Sequence, residues 1–152
     1  MKKLTVMLVA VFGMFALNAQ TGDIDERYLE LLIQSEKRTL INDGMALTPE
    51  QAPVFWELYD AYEAEFSSIS KKRMEMLKSY AEVYPNVPDE LANSLVQDMY
   101  KVNTQVYALR YKYAKKMSKT ISPQVAARWM QLDDLINTAM KLSLNAEIPL
   151  VE

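Results

Sequence analysis

The side chains that most often carry out chemistry in proteins are missing from this 152-residue chain, which has neither histidine nor cysteine. The commonest general base, nucleophile and thiolate or imidazole metal ligands are therefore unavailable. Carboxylates remain, with Asp133 beside Asp134 and Glu63 two residues before Glu65. An acid–base pair needs carboxylates in contrasting environments, whereas acidic neighbours on a helix are usually solvated. The sequence predicts a protein that is not an enzyme, with no cofactor and no metal site; Cu(I) binding by methionine thioethers is the weaker alternative.

The N-terminus has the layout of a secretory signal peptide. Lys2 and Lys3 precede an apolar run over residues 4–17, and the small residue Ala19 follows. That run is short for a membrane span, which needs about 20 residues. We therefore expect cleavage near Ala19 and no transmembrane anchor, the alternative being an uncleaved N-terminal anchor. Residues 20–152 would form a single helical domain in the periplasm or the secreted fraction.

The overall charge argues against nucleic acid as a partner. The chain carries 20 acidic and 17 basic residues, and loss of Lys2 and Lys3 with the leader makes it more acidic still. One stretch departs from this balance, "YALRYKYAKKMSK" at residues 107–119. Its lysines are expected to complement the negative end of a helix dipole. The alternative is that this stretch contacts an anionic client or a membrane surface.

The composition predicts an all-α protein. Glycine is scarce, helix-forming residues are abundant, and no segment alternates with period two. Asp23 is the expected N-cap of the first helix and Gly44 its expected stop. One long apolar stripe steps by threes and fours down the third helix, through Leu91, Leu95, Met99, Val102, Val106, Leu109 and Tyr113. We predict four helices, at about residues 24–43, 49–83, 89–119 and 123–144.

The lengths of these helices predict an arrangement. The second and third would be two long central helices forming a projecting hairpin, with two shorter flanking helices. The alternative is a break at Ser67-Ser68-Ile69-Ser70, which would let the hairpin fold back on itself.

A short sequence motif that occurs twice indicates two helix starts. "LTPEQ" at residues 47–51 is matched by "ISPQV" at residues 121–125. Thr48 and Ser122 are suited to N-cap positions, and the proline after each suits the first helical position. Gln51 completes a capping box with Thr48, which Val125 cannot do for Ser122. The predicted capping residues are Leu47, Thr48, Gln51, Ser122 and Pro123, and the buried face should begin at Phe55 and Trp129.

These residues carry a family resemblance. Leu47-Thr48-Pro49-Glu50-Gln51 is an intact LTxxQ motif, and residues 121–125 look like a second, degenerate copy. An exported helical chain with two such motifs resembles the Spy/CpxP-like LTXXQ family of periplasmic stress proteins. The resemblance implies an ATP-independent chaperone, or a partner in envelope stress signalling, that is usually a dimer. The alternative to a general chaperone is a dedicated sensor or regulatory subunit of an envelope stress or metal-response complex.

The predicted binding surface lies at the far end of the hairpin, over residues 71–101. Two helices alone cannot bury the apolar side chains there, so a second subunit or an unfolded client would cover them. Methionine suits such variable contacts because its side chain is flexible and polarisable. The predicted protein-binding residues are Met74, Met76, Leu77, Tyr80, Tyr84, Leu95, Met99 and Tyr100. The apolar tail, residues 145–152, is expected to fold back, or else to dock on a partner as an extended strand.

Overall fold

A computed structural model describes residues 26–151, with side chains described over residues 33–142 and 148–151. Its four helices are α1 (Glu26–Met45), α2 (Ala52–Val83), α3 (Asp89–Thr120) and α4 (Pro123–Glu147), and the described residues contain no strand. The predicted all-α class is confirmed. The predicted signal peptide and the Asp23 cap lie outside the described residues.

The two long helices, α2 and α3, form an antiparallel hairpin. Each has 32 residues, which corresponds to about 48 Å. The connecting turn contains a cis peptide bond between Tyr84 and Pro85. Helix α2 runs without interruption through residues 67–70, so the alternative of a break there is wrong. Serine lowers helix propensity by only a fraction of a kcal/mol, and the apolar turns on either side outweigh that loss.

The start of α2 contains the predicted capping box. The backbone N–H of Gln51 donates to Thr48 Oγ1 at 3.4 Å, and the N–H of Thr48 donates to Gln51 Oε1 at 3.2 Å. The Thr48 carbonyl accepts from the N–H groups of both Gln51 and Ala52. The regular helix nevertheless begins at Ala52 rather than at Pro49. The reason is Pro53, which has no N–H to donate to the Pro49 carbonyl.

Helix α4 begins as predicted. Ser122 Oγ accepts a hydrogen bond from the N–H of Val125 at 3.2 Å, and Pro123 is the first helical residue. Only half of the capping box is present here, because Val125 has no side-chain acceptor to return the bond. The helix ends at Glu147, slightly later than expected.

The end of α1 differs from the prediction at Gly44. Gly44 lies inside the helix, and the residue with a left-handed backbone is Ala46, with φ of 50°. Gly44 instead packs closely against the side chain of Leu132. A Cβ atom there would lie 2.7 Å from Leu132 Cδ1 and 2.8 Å from Cδ2. Gly44 thus permits a close approach between α1 and Leu132 of α4.

The chain divides into two compact units. Among the described residues, the small unit comprises residues 26–46 and 131–148, and the hairpin unit comprises residues 47–130 and 149–151. The small unit buries Leu40, Ile41, Met45 and Ile136. The hairpin unit is built around aromatic rings.

Tyr62 lies at the centre of the aromatic core of the hairpin unit. Its ring centroid is 4.9 Å from that of Trp129 and 5.8 Å from that of Tyr113, both at steep interplanar angles. Edge-to-face pairs of this kind add about 0.5–1.5 kcal/mol beyond their burial. Phe55 and Trp129, the aromatic residues that follow the two copies of the repeated motif, are both fully buried. The prediction that the buried face begins at these residues is confirmed for Phe55, whereas in α4 burial begins one turn earlier, at Val125 and Ala126.

Candidate protein-binding surface

The apolar stripe of α3 is buried along one half of the helix only. Val102, Leu109, Tyr113 and Met117 are buried, whereas Met99 is half-exposed and the residues before it are at most partly covered. At the buried half, the first turns of α4 contribute a third layer within the hairpin unit. The same sequence pattern therefore produces a core at one end of α3 and an accessible surface at the other.

Contacts across the hairpin show which stretches lie side by side. Glu65 of α2 binds Tyr113 of α3. Counting equal steps along both antiparallel helices from this contact places residues 74–84 level with about residues 94–104. The predicted binding residues of both helices thus belong to the same stretch of the hairpin, next to the turn.

The eight predicted residues differ in exposure. Met74 is 45% exposed, Tyr84 37%, Met99 50% and Tyr100 72%. Three others, Met76, Leu77 and Leu95, are partly covered. We call Met74, Tyr84, Val96, Met99 and Tyr100 the turn-end surface. Val96, 71% exposed, was not among the eight, although its position four residues before Tyr100 places both on one flank of α3.

Tyr80 does not belong to the surface, contrary to the prediction. Its side chain is buried, its ring lies 6.0 Å from that of Tyr84, and its hydroxyl donates to the Pro149 carbonyl at 2.8 Å. This hydrogen bond joins the tail to α2 at Pro149. Leu150 and Val151 remain exposed beyond it. Tyr80 therefore acts as an anchor for the tail.

One of the acidic residues predicted to be solvated, Asp133, is not solvated. Asp133 is fully buried, and its Oδ1 lies 3.0 Å from Nζ of Lys37, which is itself 3% exposed. The distance is that of an ion pair, although the angle is poor for a hydrogen bond. Asp134 is exposed. A signal was available in the sequence: Lys37 lies three and four residues before Leu40 and Ile41, on the apolar side of α1.

Glu65 is likewise more than a solvated acid. Lys112 Nζ donates to both of its oxygens, at 2.7 and 2.8 Å, and the Tyr113 hydroxyl donates to Oε1 at 2.7 Å. The hydrogen bonds from Lys112 and Tyr113 lower the pKa of Glu65. Burial, together with the hydrogen bond to Glu65, raises the pKa of Tyr113 to about 12. This network links α2 to α3 across the hairpin.

Two further observations concern ligands and membranes. Within residues 26–151, no group of three acidic side chains is close enough together to hold a metal ion. None of the helices described has the length and apolar character needed to cross a membrane.

Comparisons with family models, curated proteins and solved structures gave no match to this chain. The resemblance to the LTXXQ family therefore rests on the motif residues themselves. Of these, Thr48, Gln51 and Ser122 make the capping bonds described above.

Proposed function

We propose that this protein is an exported, ATP-independent chaperone-like protein that binds unfolded or stressed envelope proteins. The turn-end surface of the hairpin would be its client-binding site. The proposal includes cleavage of the leader near Ala19, a periplasmic or secreted location, and a homodimer. It includes no enzymatic activity.

The observation that carries the proposal is the exposure of apolar side chains next to the turn. Met74, Met99, Tyr100 and Val96 are each about half-exposed or more, although the stripe to which Met99 belongs is buried further along α3. Apolar side chains grouped on an accessible surface favour contact with other apolar chains. Unfolded proteins present such side chains in many sequences, and flexible methionines can adjust to them.

The test is protection of unrelated unfolded proteins from aggregation. Light scattering would follow the aggregation of several chemically or thermally unfolded proteins, with and without this chain. A triple variant, Met74→Ser, Met99→Ser and Tyr100→Ser, should lose most of the protection. Its far-ultraviolet circular dichroism should stay helical, because these side chains lose little burial on substitution.

The matched control replaces exposed apolar side chains of α4 with serine. Met130, Leu135 and Leu142 of α4 are 37%, 51% and 72% exposed, so replacing all three with serine removes three exposed apolar side chains, as the first variant does. Protection should survive in this control. Equal losses in the two variants would contradict a local binding site. Protection of no unfolded protein by the unaltered chain would contradict chaperone activity and favour the dedicated regulatory subunit.

A further inference from the structure

Basic residues are concentrated in one part of this acidic chain. No aspartate or glutamate occurs between Asp98 and Asp133. That interval contains seven basic residues: Lys101, Arg110, Lys112, Lys115, Lys116, Lys119 and Arg128. A segment of one charge sign within a protein of the opposite net charge creates a local field that attracts anions.

Two tyrosines accompany these charges on the surface of α3. Tyr107 and Tyr111 are each 61% exposed and lie four residues apart, hence on one side of the helix. The ammonium group of Lys115 lies 5.5 Å from the ring centroid of Tyr111. We call Tyr107, Tyr111, Lys112, Lys115, Lys116 and Lys119 the basic tyrosine face.

Most of the charge on this face is not neutralised by the protein. Lys112 is bound by Glu65. Lys116 lies 4.6 Å from the centroid of the Tyr113 ring. Within the described part of the chain, Lys115, Lys116 and Lys119 form no ion pair with a carboxylate, and only Lys116 interacts electrostatically with Glu65. The face therefore carries positive charge that is not ion-paired, next to the exposed ring of Tyr111.

The form of this face suits a flat partner better than an extended peptide. It is the side of a single helix, and the lysines surround only a shallow depression of about 400 Å³ that also touches Ala108 and Tyr111. A groove that holds a peptide needs walls on two sides, and this depression is open. A planar surface can instead contact tyrosines and lysines along the helix at the same time.

We propose that the basic tyrosine face docks α3 onto an anionic lipid surface, parallel to the plane of the membrane. Tyrosine rings are favoured at the level of lipid headgroups, where the ring contacts apolar groups and the hydroxyl contacts water. The lysines contact the anionic headgroups, and each basic residue near such a surface strengthens binding by a factor of about five. The helix stays at the interface and does not enter the hydrocarbon core. This docking is separate from client binding at the turn-end surface.

Vesicle sedimentation tests the proposal with the full chain. Binding would be measured to phosphatidylcholine vesicles with and without phosphatidylglycerol. The first variant is Lys115→Gln with Lys119→Gln, and its matched control is Lys71→Gln with Lys72→Gln, which removes the same charge from exposed positions of α2. The predicted apolar leader is present in every protein compared, so a difference between the two lysine pairs reflects the charges removed and not the leader.

We expect binding that requires phosphatidylglycerol and weakens with added salt. Lys115→Gln with Lys119→Gln should weaken it about 30-fold, and the Lys71/Lys72 control by much less. Tyr107→Ser with Tyr111→Ser should weaken binding while leaving the helical circular dichroism unchanged. Equal effects of the two lysine pairs, or binding indifferent to phosphatidylglycerol, would overturn the proposal. The Lys115→Gln/Lys119→Gln variant could also keep its vesicle binding and lose its protection of acidic unfolded proteins. That result would overturn the proposal, because the face would then bind clients.

Discussion

Replacing Lys37 with methionine tests the buried ion pair of the small unit. Methionine keeps most of the length and the apolar contacts of lysine but removes the charge. Asp133, which is fully buried, would then lose the cation that lies 3.0 Å from its Oδ1. Removing one partner of a buried ion pair costs about 3–5 kcal/mol, because the remaining charge stays away from water. Since whole domains are stable by only about 5–15 kcal/mol, the loss should be large.

The measurement is urea unfolding followed by far-ultraviolet circular dichroism. Lys101→Met is the matched control, because Lys101 and Asp98 form an ion pair at 3.3 Å whose side chains are 63% and 46% exposed. That variant should lose less than about 1 kcal/mol. A double variant, Lys37→Met with Asp133→Leu, removes both buried charges and should recover most of the stability lost in Lys37→Met. If Lys37→Met loses no more than Lys101→Met, or if the double variant is the least stable, the reasoning from burial is refuted.

Three further predictions concern the caps, the close helix contact and the titration of the hairpin network. Thr48→Ala should lower the free energy of unfolding by about 1 kcal/mol, because the Gln51 N–H loses its side-chain acceptor and keeps only the Thr48 carbonyl; an unchanged melting temperature would count against this cap. Gly44→Ala should cost about 1–3 kcal/mol through its clash with Leu132, and adding Leu132→Ala should give a total loss smaller than the sum of the two, a result that strict additivity would contradict. The raised pKa of Tyr113 adds stability that is fully present below pH 10 and is lost as the pH rises through about 12; ultraviolet titration of tyrosinate should lose this late component in Tyr113→Phe. The lowered pKa of Glu65 adds stability that is present above pH 4.5 and is lost as the pH falls through the folded-state value, so Glu65→Gln should flatten the acid limb of a stability curve.

Local signals predicted the helices well. Thr48, Gln51 and Ser122 are caps because hydroxyl and amide side chains reach backbone N–H groups two or three residues away, a distance that the sequence fixes. Two of the predicted helix boundaries were wrong. Pro53 delays the regular start of α2. Gly44 lies within α1, close to Leu132, which is distant in sequence.

The candidate surface was predicted less completely, because burial depends on which segments come together. The apolar pattern of α3 is uniform from Leu91 to Tyr113. Only its later part is buried, beside the first turns of α4. Tyr80 is a helical tyrosine like the exposed ones, but its hydroxyl binds the carbonyl of Pro149, 69 positions away, which helical spacing does not reveal. Lys37 and Asp133 are 96 positions apart along the sequence, so their pairing could not be derived from spacing.

The positions of the two tryptophans have a consequence for spectroscopy. The chain contains only Trp56 and Trp129, and both belong to the hairpin unit. Their fluorescence emission therefore reports on the hairpin unit, whereas circular dichroism at helical wavelengths reports on all four helices. Lys37→Met perturbs the small unit. The urea midpoint of this variant followed by tryptophan emission shifts together with the midpoint followed by ellipticity only if both units unfold in one cooperative step. The unaltered sequence thus carries a fluorescent label in one unit and none in the other, and cooperativity between the units can be measured without adding a probe.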